Sequence, residues 1–331
     1  MTDISVIIPS KHDHGCLLKI VHAICYQTIK PTQIVIVDSS DSRGACPSEI
    51  TALCVYNGIE LIYEQRARAL PGDARNIGLS MASGRLLAFI DVQTIPRPHW
   101  LKASVNLLSN NVAGIWGATS FSAETRFQRL LRDSFYGVLP RKTLPGSVFR
   151  REVFEKTGLF IDWVRAGEDT EWMLRVEVLK ISVGYSSSSL VDYVGLIGVD
   201  MKHLLKKWYR NYTASRELPH FFPQKLLLWL VLYPLLVLVA FNWNYLIADW
   251  RMDSPLYVGH VTKIVAILPG LTYVIVRGLV LPLQRGVGIW RLLPIRFVVI
   301  TLVCFMADFV KVLVFSLPKS KRDTDTPDFR N

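Results

Sequence analysis

Short apolar segments recur through the first 120 residues of the chain, separated by stretches that suit helices. They cover residues 5–9, 33–37, 59–63, 86–90 and 112–120. A strand that is apolar throughout is buried on both faces, and strands that alternate with helices form a mostly parallel sheet. The pattern therefore predicts an α/β fold for residues 1–200, with helices over residues 14–28, 46–56, 72–81 and 99–108.

Two of these predicted strands end in an aspartate. Asp38 follows QIVIV, and Asp91 follows LLAFI. Ligands of open α/β sheets bind beyond the carboxyl ends of the strands, so we expect both acids to lie at one edge of the sheet and to face a ligand. The first strand is followed by PSKHDHG, and no G-x-x-x-x-G-K-[ST] occurs, so the glycine-rich dinucleotide turn and the P-loop are excluded.

Long apolar runs dominate residues 226–317. Leu226–Ala248 carries no charge and is long enough to cross a hydrocarbon core about 30 Å thick, and Leu256–Leu283 is a second candidate span. Phe297–Leu317 carries Thr301, Asp308 and Lys311 along one helical stripe. We predict two spans with this third helix in the membrane plane; three spans are the alternative. The loop QRGVGIWRLLPIR has three arginines and is expected on the inside.

The segment between these regions predicts an amphipathic helix. In Met201–Tyr212, apolar residues at 204, 205, 208 and 212 share one face, and lysines and arginine occupy much of the remainder. Such a helix is typical of an anionic membrane surface; packing on the preceding domain is the alternative. The predicted division is 1–200 for the soluble domain, 201–222 for this helix and a linker, 223–318 for the membrane helices and 319–331 for a polar tail.

The net charge and the cysteine content indicate which partners and which cellular location to expect. The net charge of +11 fits a membrane surface and phosphorylated ligands, because the sequence has no nucleic-acid-binding signature. The five cysteines form no Cys-x-x-Cys pair and predict reduced thiols. The first residues lack a charged region followed by an apolar one, so we expect the first domain in the cytoplasm.

Five segments, in order, resemble the inverting family 2 glycosyltransferases of the GT-A class. They are SVIIPS, IVIVDSSD, PGDARNIGLSMASGRLLAFID, PRPHWL and AGEDTEWMLR. The resemblance covers roughly residues 4–215 and is specific through order and spacing. It implies a Rossmann-like GT-A domain that binds a nucleotide-sugar donor.

The resemblance also implies roles for single residues. Pro9 would line the nucleotide pocket, Asp38 would contact the base and Arg75 would lie beside the nucleotide. Asp91 would hold the ribose and diphosphate side of the donor and contact a metal ion. In the pair Glu168-Asp169, Asp169 would be the general base, since an attacking hydroxyl needs a nearby carboxylate to take its proton.

Two positions depart from the family pattern. The D-x-D motif is Asp91-Val92-Gln93, so a donor-site carboxylate is replaced by an amide, a poor ligand for Mg²⁺ or Mn²⁺. Tyr193 lies near the place of a histidine that binds metal in many relatives. A divalent cation is therefore expected to bind weakly or not at all. Lys206, Lys207 and Arg210 are candidates to stabilise the leaving group, and Lys207-Trp208 resembles half of an R-W pair, with Trp208 on the acceptor side.

These inferences predict a membrane-anchored inverting glycosyltransferase at the cell (inner or plasma) membrane. Its acceptor would be lipid-linked, a polyprenyl-carried saccharide in cell-envelope polysaccharide or glycan assembly. Two alternatives stay open: direct transfer of the sugar onto a polyprenyl phosphate, and a non-catalytic membrane scaffold of the same fold.

Overall fold

The fold is described from a computed structural model. It describes residues 3–41, 44–108, 111–196, 200–218, 242–246, 251–257 and 261–317, with residues 235, 238, 239 and 259. The predicted span Leu226–Ala248 and the tail 319–331 lie largely or wholly outside these residues.

One mixed sheet forms the centre of the domain. Its order is β3-β2-β1-β4-β7-β6-β9-β5, with β8 beside β6. The strands are β1 Ile4–Ser10, β2 Gln33–Asp38, β3 Glu60–Gln65, β4 Leu86–Phe89, β5 Thr94–Pro96, β6 Gly114–Phe121, β7 Arg141–Arg150, β8 Val183–Tyr185 and β9 Val191–Tyr193. β1 to β4 are parallel as predicted, whereas β7 runs antiparallel to both β4 and β6.

The helices cover both faces of this sheet and continue into the C-terminal part. Those of the domain are α1 His14–Cys25, α2 Ser48–Tyr56, α3 Pro71–Met81, α4 Trp100–Leu107, α5 Arg126–Leu131 with a π-helical turn Arg132–Tyr136, α6 Glu152–Thr157, α7 Glu168–Val178 and α8 Met201–Ser215. The C-terminal ones are α9 Val261–Ile275, a π-helical turn Val276–Val280, α10 Leu281–Gln284, α11 Ile289–Leu292 and α12 Arg296–Ser316. The helices and strands predicted up to residue 120 are confirmed to within a few residues.

Two apolar layers hold the sheet between its helices. Val6 and Ile8 of β1 point into the layer that contains Trp100, while Ile7 points into the layer of Phe149 and Trp172. This alternation follows from the two-residue period of a strand. Both faces are therefore buried, as the apolar strands predicted.

The amphipathic helix α8 packs against protein. Its residues Leu204 and Trp208 lie in one cluster with Leu131 of α5 and Val303 of α12. The apolar face predicted to enter the membrane surface is thus partly covered, by α5 of the preceding domain and by α12. Contact of its partly exposed residues with a membrane surface stays a prediction. The sequence could not reveal this cover because α12 is about 90 residues away along the chain.

Helix α12 contacts the domain along its whole length. At its first turn, Arg296 Nη2 lies 2.8 Å from Asp133 Oδ2. At its last turn, Arg216 Nη1 donates to the carbonyl oxygens of Val314 and Leu317 at 2.7 and 2.8 Å. The predicted polar stripe also packs against protein, since Asp308 accepts from Arg277 at 2.7 Å.

Two helical segments are long and apolar enough, by length and composition, to cross a membrane. They are Ile267–Gln284 and Arg296–Ser316. Both correspond to predicted apolar segments.

Candidate functional site

A cavity of about 560 Å³ opens at the carboxyl edge of the parallel strands. β2, β1 and β4 are neighbours, and their ends bring Pro9, Ser39 and Asp91 to its wall. The start of α7 and one face of α8 complete it. This central cavity has the position that ligands take in open α/β sheets.

Arg75 of α3 joins two acids from distant parts of the chain. Its side chain is 5% exposed; Nη1 donates to Glu168 Oε1 at 2.6 Å and Nη2 donates to Asp91 Oδ1 at 2.9 Å. Burial disfavours the Arg75 charge, but the two carboxylates outweigh it and raise the pKa of Arg75. Arg75 therefore stays cationic and fixes Asp91 relative to the start of α7.

Helix α7 places its two acids in different environments. Glu168 shares the buried face with Trp172 and Val176, at four-residue spacing. Burial raises the pKa of Glu168, and the Arg75 guanidinium counteracts part of this shift. Asp169 is turned about 100° from that face and lines the cavity. Within the described residues no lysine, arginine or histidine lies within ion-pair distance of Asp169, whose charge acts on Arg75 from further away. Its Oδ1 accepts from the backbone N–H of Thr170 at 2.7 Å.

The turn before α7 depends on glycine. Gly167 has φ +95°, and a Cβ there would lie 2.7 Å from Leu218 Cδ1. A side chain would therefore meet both backbone strain and the segment that follows α8. Gly167 allows the Glu168-Asp169 pair to approach α8 closely.

Asp38 is engaged by its own surroundings. Its Oδ1 accepts from the backbone N–H and the hydroxyl of Ser40 at 3.1 and 2.6 Å, and its Oδ2 accepts from the Tyr63 hydroxyl at 2.8 Å. The lining of the central cavity, drawn from the described residues, includes Ser39 but not Asp38. Contact of Asp38 with a base stays a prediction.

Gln93 and Tyr193, the two departures from the family pattern, contact each other. Gln93 Oε1 accepts a hydrogen bond from the Tyr193 hydroxyl at 3.1 Å. Gly195 leaves the space for this pair, because a Cβ there would collide with both side chains. Burial, with Tyr136 and Asp91 nearby, raises the pKa of Tyr193, which keeps its hydroxyl a donor.

This arrangement does not fit a site that holds a divalent cation through several carboxylates. Arg75 occupies one oxygen of Asp91, and Tyr193 occupies the amide oxygen of Gln93. Among the described residues there is no group of three or more His, Cys, Asp or Glu side chains that could hold a metal ion. We therefore derive no chemical step that depends on a metal.

Two of the described cations that line the cavity come from α8. Lys207 and Arg210 line it as the sequence predicted, and Arg165 and Lys11 add two cations that sequence reasoning missed. A signal existed for both: Arg165 lies two residues before Gly167, and Lys11 follows the first strand directly. The cavity is therefore suited to an anionic ligand.

Trp208 lies away from the cavity. Its ring packs against Phe135 with centroids 5.1 Å apart, within the cluster between α5 and α12. In the described part of the chain it is absent from the cavity linings. The acceptor-side position predicted for Trp208 is therefore not where the structure places it: the residue is turned about 100° around α8 from Lys207.

Comparison with known proteins agrees with this geometry. Residues 5–163 match the family described as Glycosyl transferase family 2. The chain is similar to the glycosyltransferase AglE of Haloferax volcanii, with 25% identity over 220 residues that cover 62% of this chain and 71% of AglE. It is 32% identical over 178 residues to an uncharacterized glycosyltransferase of Rickettsia conorii, and this match spans 51% of the chain but only 29% of that protein.

A solved structure shares the fold. The mannosyltransferase PcManGT from Pyrobaculum calidifontis, in complex with GDP-Man and Mn²⁺, matches with a TM-score of 0.52 and 16% identity over 93% of this chain and 86% of that chain. Sheet order, family match and structural likeness agree. The chain therefore carries a family 2 glycosyltransferase domain with the GT-A fold.

Proposed function

We propose that this protein is a membrane-anchored inverting glycosyltransferase that transfers a sugar from a nucleotide-sugar donor to a lipid-linked acceptor. One observation carries the proposal: Asp169 lines the central cavity and forms no ion pair among the described residues, while Arg75 pairs directly with the two neighbouring acids. The GDP-Man bound to the similar mannosyltransferase supports a nucleotide-sugar donor.

The proposed reaction uses residues of this chain only. The acceptor hydroxyl oxygen attacks the anomeric carbon as the bond from that carbon to the diphosphate oxygen breaks, which inverts the configuration. The hydroxyl proton passes to Asp169, the general base. Lys207 and Arg210 stabilise the negative charge that develops on the departing nucleoside diphosphate.

Membrane attachment is supported by the exposed surface of the C-terminal helices. Leu302, Phe305 and Phe309 of α12 are more than half exposed, on the side away from the domain. Apolar patches of this kind mark membrane or protein contacts. Arg285 Nη1 donates to the carbonyl oxygen of Ser134, so the arginine-rich loop lies beside the catalytic domain; by the charge rule we place both in the cytoplasm.

The acceptor is proposed to be a saccharide carried on a polyprenyl lipid, as in assembly of cell-envelope polysaccharides or glycans. A membrane-attached catalytic domain favours an acceptor held in the same membrane. An enzyme that transfers sugar only to soluble acceptors would contradict this part of the proposal.

The variant Asp169→Asn tests the proposed function. It removes the base while keeping the shape of the side chain, so transfer should fall about a hundredfold or more. Transfer is measured as release of nucleoside diphosphate from UDP-, GDP- and dTDP-sugars in the presence of membrane lipid extract. Binding of UDP, GDP, dTDP and CMP, measured by thermal shift, should be unchanged.

Asp162→Asn is the matched control, because Asp162 is exposed in the loop that precedes α7 and does not line the cavity. It should leave both measurements unchanged. If the natural protein neither binds a nucleotide nor turns over any of these donors, the non-catalytic scaffold is the correct interpretation.

A further inference from the structure

A second cavity, of about 850 Å³, lies on the other side of the cationic residues of α8. Arg165, Lys207 and Arg210 line both cavities, so these three side chains form a shared wall. Lys206 lines the second cavity but does not appear in the described lining of the central cavity. We call this space the α8 cavity.

The described lining of the α8 cavity holds four cations, Arg165, Lys206, Lys207 and Arg210, against one acid, Glu217. Within the described residues, Arg165, Lys206, Lys207 and Arg210 form no ion pair. Burial and the neighbouring Arg210 lower the pKa of Lys207, and burial and Arg165 lower the pKa of Arg210. Like charges held this close repel each other, and a bound anion would relieve that repulsion.

Apolar surface lies beside these charges. Trp163 and Tyr209 line the same cavity and are 42% and 46% exposed. Leu70 lies at the cavity as well. A free inorganic anion would use the cations but leave these rings in water, whereas an amphiphile would use both.

We propose that the α8 cavity binds the phosphate or diphosphate group of an amphiphilic acceptor, with its hydrocarbon chain along Trp163 and Tyr209. This inference rests on the proposed function and adds the site that binds the charged group and the hydrocarbon chain of the acceptor. The shared wall puts the acceptor's charged group next to the central cavity, so that a sugar carried on it can reach Asp169.

Binding of farnesyl diphosphate tests this inference. The full chain in non-ionic detergent is titrated calorimetrically at a saturating concentration of the nucleoside diphosphate that gives the largest thermal shift. Farnesyl diphosphate should bind at one site, and farnesol and inorganic pyrophosphate should each bind at least about tenfold more weakly, since each lacks one half of the interaction.

Variants confined to the α8 cavity separate this site from the donor site. Lys206→Gln and Trp163→Ala should each weaken farnesyl diphosphate binding about tenfold and leave nucleotide affinity unchanged. Lys202→Gln is the matched control: Lys202 is an exposed lysine of the same helix that lines neither cavity. It should leave both affinities unchanged.

Three results would overturn the inference while nucleotide binding persists. They are absence of farnesyl diphosphate binding, equal weakening by Lys202→Gln, and displacement of farnesyl diphosphate by phosphatidylglycerol vesicles at the same phosphate concentration. Displacement by the vesicles would mean that the α8 cavity binds anionic lipid headgroups in general. Loss of nucleotide binding in the natural protein would instead contradict the proposed function itself.

Discussion

At the scale of single residues, the hydrogen bond between Tyr193 and Gln93 bears on the proposed stabilisation of the leaving group. The pair ties up the oxygen that could otherwise approach a cation beside Asp91. Lys207 and Arg210 line the same cavity and carry the charge that a diphosphate needs. The chemistry is therefore expected to depend on side chains more than on a metal ion.

Chelation tests this expectation. The natural protein should keep more than about half of its transfer rate in EDTA. Gln93→Asp places a second carboxylate two residues from Asp91, which suits Mn²⁺ better, so this variant should respond to added Mn²⁺. Transfer rates with and without the ion are the measurement.

Tyr193→Phe is the companion variant, because it frees the Gln93 oxygen without adding charge. It should respond to Mn²⁺ less than Gln93→Asp does. Complete loss of natural activity in EDTA, restored by Mn²⁺, would show that the leaving group is stabilised by a metal.

The acids of the site could be predicted from sequence better than their partners. Asp91 and Asp169 stand in recognisable motifs, at a strand end and a helix start. The bridge from Arg75 to Glu168 spans 93 residues, and no local pattern specifies it. The hydrogen bonds that surround Asp38 also depend on Tyr63 of the neighbouring strand β3, so its engagement required the three-dimensional structure.

At the scale of elements, the contact between α12 and the domain centres on one buried acid. Asp133 is fully buried and lies 3.2 Å from Arg132 and 2.8 Å from Arg296. Arg291 approaches it at 3.8 Å. One carboxylate therefore ties the start of α12 and the preceding helix α11 to the π-helical turn that follows α5.

Asp133→Asn should loosen this attachment. Removal of the charge leaves partly buried guanidinium groups without a counter-ion, at a cost of about 2 kcal/mol in unfolding free energy. The expected fall in Tm, measured in detergent, is about 4 °C.

Asp253→Asn is the comparison, since Asp253 pairs with Arg251 in an exposed position. It should change Tm by less than about 1 °C. Equal effects of the two variants would show that the buried acid does not hold α12 in place.

Elements with a regular local pattern of apolar residues could be predicted from the sequence. Elements whose formation or position depends on contacts with distant segments could not. The strands up to β4 follow from short, mostly apolar runs. β7 contains Pro145 and Gly146, which hide its strand pattern, and it is held antiparallel between β4 and β6. The covering of α8 by α12 likewise depends on a segment far along the chain.

At the scale of the whole molecule, the contacts of α12 bear on the prediction that it lies in the membrane plane. Its two ends are about 31 Å apart; the first contacts Asp133, and the last contacts Arg216 at the end of α8. A helix that crossed the bilayer would place its ends on opposite sides. We therefore propose the in-plane arrangement for α12.

Cysteine labelling in sealed proteoliposomes tests this arrangement. Single cysteines at Ile295 and Leu317, both exposed, are introduced after the natural cysteines are replaced. A membrane-impermeant maleimide should label both from the side that labels a cysteine at the exposed Lys102 of the catalytic domain. Labelling of positions 295 and 317 from opposite sides would show that α12 spans the membrane.

The cover that α12 provides also limits how the protein can be divided. A shortened chain ending at residue 218 would keep every acid of the central cavity yet lay bare Leu204 and the ring of Trp208. Those residues hold the helix that presents Lys207 and Arg210 to the central cavity. The C-terminal part thus supports a helix of the candidate site, besides its proposed role as a membrane anchor, and a fragment without it would be a different catalyst.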